Sequence, residues 1–192
     1  MITDMASYLR FFDSLRRRTE RDVAALASLK GRAPGKPFLL LISDRRMAEA
    51  HGLAFNASAD ALARAYWPGP LTLVLPGGSG RLPQLLRGPE GGIAVRWTSH
   101  TGIARLVAAL GAPLTSTSAN IPGSQPAPGA AAIVRDFKEA VDAGQLLVLD
   151  GGVLGNRPPS TVIDCTQPDA RLVREGAVTL AELRRAAGHL AP

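Results

Sequence analysis

The stretch Trp67-Pro68-Gly69-Pro70-Leu71-Thr72-Leu73-Val74-Leu75-Pro76 sets the reading of this chain. Proline cannot continue a helix, so the helical pattern that starts after Ser58 has to stop by Trp67. The turn that follows feeds a short apolar run, closed by Pro76 and the glycines after it, which has the length and boundaries of a buried strand. The same alternation of helix and strand extends in both directions. Toward the N-terminus, Phe38 to Ile42 is a second apolar run, followed by a helix from about Asp44 to Gly52. Thr19-Glu20-Arg21-Asp22 has a hydroxyl with an acidic residue three positions on, which fits a helix start, with Val23, Leu26, Ala27 and Leu29 at helical spacing. Toward the C-terminus come a strand at Ile93–Trp97, a helix at Thr101–Leu110 and a β-rich run at Leu114–Ser118. A helix at Ala130–Ala143 follows, then strands at Leu146–Leu149, Thr161–Asp164 and Leu172–Arg174. Thr179-Leu180-Ala181-Glu182 is a second capping pattern, opening a C-terminal helix. Interleaved strands and helices predict an α/β fold with helices covering a sheet. Some neighbouring strands have no helix between them, so the sheet is expected to be mixed. No linker divides the chain, and residues 1–192 read as one domain.

Composition narrows the function classes. The chain has 192 residues, enough to bury an ordinary core, and 46% of them are apolar, which excludes a disordered chain. The formal charge is +6, and all but three of the 22 basic residues are arginine. A basic surface suits nucleotides and RNA, and it is equally what a solvated arginine-rich surface looks like. Cys165 is the single cysteine, so no internal disulfide exists and a reducing cytoplasm is the expected setting. No apolar stretch reaches membrane-spanning length, and no Cys/His cluster has zinc spacing, so no membrane partner and no protein-bound metal are expected.

Four constellations could carry chemistry. Lys30-Gly31-Arg32 and Lys36 place three cations within seven residues. A phosphate chain needs several fixed donors, although basic residues at a helix end also simply complement its dipole. Thr115-Ser116-Thr117-Ser118-Ala119-Asn120 sets hydroxyls and an amide at the end of a β-run. Alternation along a strand would give Ser116 and Ser118 one face, continued by Asn120. Ser118 lacks a nucleophile elbow, and His51, His100 and His189 form no triad with it, so it reads as a binding residue. A loop with two prolines delivers Ser160 and Thr161 to a strand start. Arg174-Glu175-Gly176 puts an arginine at a strand end, where it could meet an anion or a surface carboxylate. Trp67-Pro68-Gly69-Pro70 reads as structural. There is no Walker A loop and no dinucleotide fingerprint.

In their order along the chain, the segments KGR, WPGPLTLVLP, AVR, TSTSAN, PSTVID and LVREGAV resemble the YrdC/Sua5 family of threonylcarbamoyl-AMP synthases, from about Val23 to Val178. The resemblance implies a YrdC-like twisted mixed sheet with helices packed on it and a basic cleft. It implies a nucleotidyltransferase that joins L-threonine, bicarbonate or carbon dioxide, and ATP into threonylcarbamoyl-AMP and pyrophosphate. Magnesium would accompany the triphosphate. A downstream threonylcarbamoyl transferase then modifies adenosine 37 of transfer RNA, and family members also resemble double-stranded RNA binders. Carried over by position, Lys30, Arg32, Ser118 and Asn120 match the catalytic set around the phosphates. Arg32, Lys36, Ser118 and Arg174 match ATP-binding positions, and Arg96, Ser116 and Ser160 match threonine-binding positions. Family members usually begin with an apolar strand and a Pro-Thr-(Asp/Glu)-Thr-x-Tyr-Gly-Leu segment. Here Ser7 to Arg18 stand in its place, within an atypical segment 1–18 that has the pattern of a short basic amphipathic helix. The alternative this opens is a non-catalytic module that binds nucleotide or double-stranded RNA on the same fold.

Overall fold

The computed structural model describes residues 20–31, 37–77, 81–121, 123–125, 127–153, 155, 157–188 and 190. The segment 1–18, Arg32 and Lys36 lie outside the described residues. The chain forms two compact units, one of residues 1–33 and 117–157, the other of residues 34–116 and 158–192.

The larger unit contains the sheet. Its strands are β1 (Leu39–Ile42), β2 (Leu71–Leu75), β3 (Ile93–Trp97), β4 (Leu114–Ser116), β5 (Thr161–Asp164) and β6 (Arg171–Arg174). They lie in the order β4-β1-β3-β2-β5-β6. β1 and β3 run parallel, as do β2 and β5, while the β1–β4, β2–β3 and β5–β6 pairs are antiparallel. The sheet is therefore mixed, as the missing crossovers predict.

Register decides what each face carries. One face is apolar: Leu40, Ile42, Leu71, Leu73, Leu75, Ile93, Val95 and Ile163 are all at most 2% exposed. Helices Arg45–Ala50 (α2), Ala57–Tyr66 (α3) and Thr101–Leu110 (α4) pack against β1 and β2, and the C-terminal helix Leu180–Ala187 (α7) packs on α3. Leu62, Val107 and Leu183 are buried in that layer. Local chemistry starts each helix. Asp44 accepts from Met47 N at 2.8 Å to cap α2, and Thr179 with Glu182 forms the expected capping box of α7. The cap of α3 is Asn56, whose Oδ1 accepts from Ala59 N at 2.8 Å, so the helix begins one residue before Ser58. His100 caps α4 through Nδ1.

The smaller unit contains α1 (Glu20–Leu29), α5 (Ala130–Asp136) and α6 (Lys138–Asp142). The single helix expected over Ala130–Ala143 is thus interrupted at Phe137, whose φ of −119° and ψ of 31° leave the helical range. The strand expected at Leu146–Leu149 does not form either. These residues pair with no strand among the described residues, and Leu147 and Leu149 are exposed. The continuous apolar run Leu146-Leu147-Val148-Leu149 has the composition of a strand but no neighbour to bond with it.

Candidate functional site

In the smaller unit, three of the expected residues meet. α1 ends at Leu29, and Gly31 turns the chain with a positive φ of 49°. Lys30, between them, is only 7% exposed. Its ammonium donates to Ser118 O at 2.9 Å, to Asn120 Oδ1 at 3.1 Å and to Asn120 O. Lys30 is therefore not an exposed cation at a helix end. It organises the Ser118–Asn120 loop by gathering its carbonyls. Ser118 Oγ donates to Asn120 Oδ1 at 2.5 Å, and Asn120 Nδ2 donates to Ser124 O at 2.7 Å. The alternation expected through Ser116, Ser118 and Asn120 fails beyond Ser116, where β4 ends. Asn120 N instead bonds Ser118 O in a turn. The hydroxyl of Ser118 is exposed at the tip of a loop that a buried lysine holds together.

In the larger unit, Arg96, Ser116, Ser160 and Arg174 fall on the face of the sheet opposite the apolar core. Leu41 pairs with both Leu114 and Arg96, and Leu39 pairs with Ser116 two positions away, so Ser116 and Arg96 share this face. The β2–β3 ladder pairs Leu73 with Val95, so its next position sets Thr72 opposite Arg96. Thr72 in turn pairs with Val162, and Val162 with Arg174. One row therefore runs Leu114, Leu41, Arg96, Thr72, Val162, Arg174 across all the strands.

Arg96 is the only charged group in the middle of this row. Its Nε donates to Gly69 O at 2.9 Å. Burial pushes its pKa below the ordinary guanidinium value, and among the described residues no carboxylate forms an ion pair with it. A half-buried cation with its Nε fixed and its planar fork otherwise unmatched by a carboxylate is suited to an anion that restores the lost solvation. The Trp67–Pro70 turn holds Gly69 in place: Gly69 N donates to Trp97 O at 2.8 Å, and Trp67 Nε1 donates to Leu71 O at 2.7 Å. A Cβ on Gly69 would lie 2.2 Å from Tyr66 O, so only glycine fits. The turn read as structural from sequence thus also fixes the Arg96 side chain. Nothing in the local pattern signals this, because the contact depends on where β3 runs.

Ser160 is 8% exposed and fixed from several sides. Its hydroxyl lies 2.9 Å from the hydroxyl of Thr72, and its carbonyl accepts from Arg174 Nη2 at 2.8 Å. Arg174 therefore forms no surface ion pair among the described residues. Thr161, delivered by the same loop, is not available to a ligand. Its hydroxyl donates to Val178 O at 2.6 Å and accepts from Gly176 N and Val178 N at 3.0 Å. Cys165 is buried, and burial beside Asp164 pushes its thiol up to about 12, which removes it as a nucleophile. Among the described residues no group of three or more His, Cys, Asp and Glu side chains could hold a metal ion.

The Sua5/YciO/YrdC family model, described as telomere recombination, matches residues 16–176. The chain belongs to this family. A Sua5/YciO/YrdC relative from Chromohalobacter salexigens, named threonylcarbamoyl-AMP synthase, is 40% identical over 146 residues, 74% of each chain. The Pyrococcus abyssi threonylcarbamoyl-AMP synthase is 31% identical over 171 residues, 89% of this chain and 49% of its own length. The structure of Pyrococcus abyssi Sua5 complexed with L-threonine superimposes with a TM-score of 0.76 at 32% identity, covering 89% of this chain and 49% of that one. The chain thus spans about half the length of the archaeal relative and three quarters of the bacterial one. The family carries the expected α/β fold, and no described helix is long and apolar enough to cross a membrane.

Proposed function

We propose that the chain is an L-threonylcarbamoyladenylate synthase. The observation that carries this reading is the half-buried, carboxylate-free Arg96 on the same sheet face as Ser116 and Ser160. These are the positions carried over for threonine, and they offer a guanidinium and hydroxyls to an amino acid carboxylate. The relatives named for this activity, and the archaeal one that binds L-threonine, support it.

In this reading the threonine ammonium loses a proton to water, and the free amine adds to carbon dioxide with release of a second proton, giving a carbamate. A carbamate oxygen then attacks the α-phosphorus of ATP, the new phosphorus–oxygen bond forms, and the bond to pyrophosphate breaks. Two anions must meet, so the residues assigned to the phosphates neutralise and align. Lys30 fixes the loop that presents Ser118 and Asn120, while Arg32, Lys36 and Arg174 would supply further cationic contacts to ATP. Magnesium, when bound with ATP, would share the triphosphate charge. The product would pass to a threonylcarbamoyl transferase acting on transfer RNA, and the setting for that chemistry is the cytoplasm.

The test is pyrophosphate release by the purified chain given ATP, bicarbonate and L-threonine. Release that depends on threonine is the expected result, and a folded protein that shows none sinks the reading. A second reading, a non-catalytic nucleotide- or double-stranded-RNA-binding module, is favoured by the absence of the Pro-Thr-x-Thr pattern from Ser7 to Arg18. It requires RNA binding that weakens steeply with salt in the absence of turnover.

A further inference from the structure

We propose that Thr72 is a positioning residue that fixes the Ser160 hydroxyl as a hydrogen-bond donor toward the ligand's carboxylate. The inference rests on the reading of Arg96 and Ser160 as a threonine site. Thr72 is the lone polar residue of β2, in the run Leu71-Thr72-Leu73-Val74-Leu75, and it is 3% exposed. β2 is paired on both sides, so its backbone groups are occupied by the ladders with β3 and β5. A buried hydroxyl keeps its hydrogen on an acceptor. Among the described residues the partner of Thr72 Oγ1 is Ser160 Oγ, at 2.9 Å. If Thr72 donates, the hydrogen of Ser160 is turned away from the sheet core and is free for an anionic acceptor.

The rest of Ser160 cannot move to compensate. Its carbonyl is bonded to Arg174, and the next amide, Thr161 N, donates to Pro70 O at 3.0 Å. Gly176 passes so close that a Cβ there would lie 2.8 Å from the Ser160 carbonyl carbon. With the backbone locked, the hydroxyl rotor is the remaining freedom, and Thr72 sets it. In the register Thr72 also stands opposite Arg96, so a carboxylate drawn to that guanidinium faces the same hydroxyl pair.

Thr72→Val keeps shape and removes the hydroxyl, and Thr72→Ser restores it. With Thr72→Val we expect the KM for threonine in pyrophosphate release to rise about tenfold, the scale of one hydrogen bond to a charged group, with kcat and the KM for ATP within about twofold. Thr72→Ser should return the threonine KM to near the parent value. In a Ser160→Ala background, Thr72→Val should add less than about twofold, because its effect acts through that hydroxyl. An unchanged threonine KM in Thr72→Val overturns the proposal, and so does an equal rise in both backgrounds, which would mark a purely structural role. Should Thr72→Val fail to fold, Thr72→Cys, with a weak donor, has to give an intermediate KM, and a parent-like KM overturns the proposal. Calorimetric titration of L-threonine separates this from the reaction itself. Threonine binding weakened by Thr72→Val, without any turnover in the parent, keeps the positioning role and removes the synthase reading. No threonine binding by the parent removes both.

Discussion

Arg96 shows how much of a site depends on one side chain being held rather than merely present. Its Nε is committed to Gly69 O, and in the proposed threonine site the terminal nitrogens of its planar fork would take the ligand's carboxylate. Lysine carries the same charge but has neither the Nε donor nor the fork. Arg96→Lys is therefore expected to raise the KM for threonine by about tenfold or more while the protein stays folded, measured by initial rates and thermal melting. Cys165 gives a pH prediction. Its thiol titrates near 12 in the folded chain against an ordinary value of 9.0, so between these values the unfolded chain binds fewer protons than the folded one. Stability is then unaffected below about 9 and falls as the pH rises from there toward 12. Aromatic disulfide reagents should leave the native thiol unlabelled at pH 8 and react once denaturant is added. Fast labelling of the native protein would contradict this burial.

Short elements in this chain are stabilised at their ends. α3 is capped by Asn56, which also uses its Nδ2 to donate to Cys165 O at 3.1 Å and Gln167 O at 2.7 Å. One side chain thus starts a helix and ties it to the turn after β5. Asn56→Ala should cost about 1–2 kcal/mol, the upper part of the range for a lost cap, because the carbonyls at 165 and 167 lose a donor as well. Equilibrium urea unfolding measures it, and a loss below about 0.5 kcal/mol would mean that water replaces these bonds without penalty. The elements that sequence placed correctly are those with strong local signals. Thr179 and Glu182 close a capping box, Gly111 ends α4 in the left-handed region, and the apolar run 71–75 is a strand. The misreadings share a cause. Phe137 breaks a helix that its neighbours favour, and Leu146–Leu149 has the composition of a strand without a partner, so the deciding contacts are not local.

At the level of the molecule, the larger unit works as a sheet with unlike faces. The face carrying Leu71, Leu73, Leu75, Val95 and Ile163 is sealed by helices, and the opposite face carries Arg96, Thr72, Ser116 and Arg174. Leu73 is central to the sealed face and fully buried. Leu73→Ala should cost about 2–5 kcal/mol in urea unfolding, the range for a large core side chain cut to alanine. If it retains folded protein, its threonine KM should be near the parent's, because the lost methyl groups face away from Arg96.

Most of the order of helices and strands, the mixed sheet and the family were legible in the chain, because they follow from apolar periodicity, prolines, glycines and caps acting over a few residues; the break at Phe137 and the missing strand at 146–149 were not. The roles of Lys30 as a loop organiser, of Gly69 as the anchor of Arg96 and of Thr72 as the partner of Ser160 were not. Lys30 reaches a carbonyl 88 residues away, and Thr72 a hydroxyl equally distant. Periodicity reports which side of an element is buried, whereas a hydrogen bond between distant residues exists only once strand order and register have brought them within 3 Å.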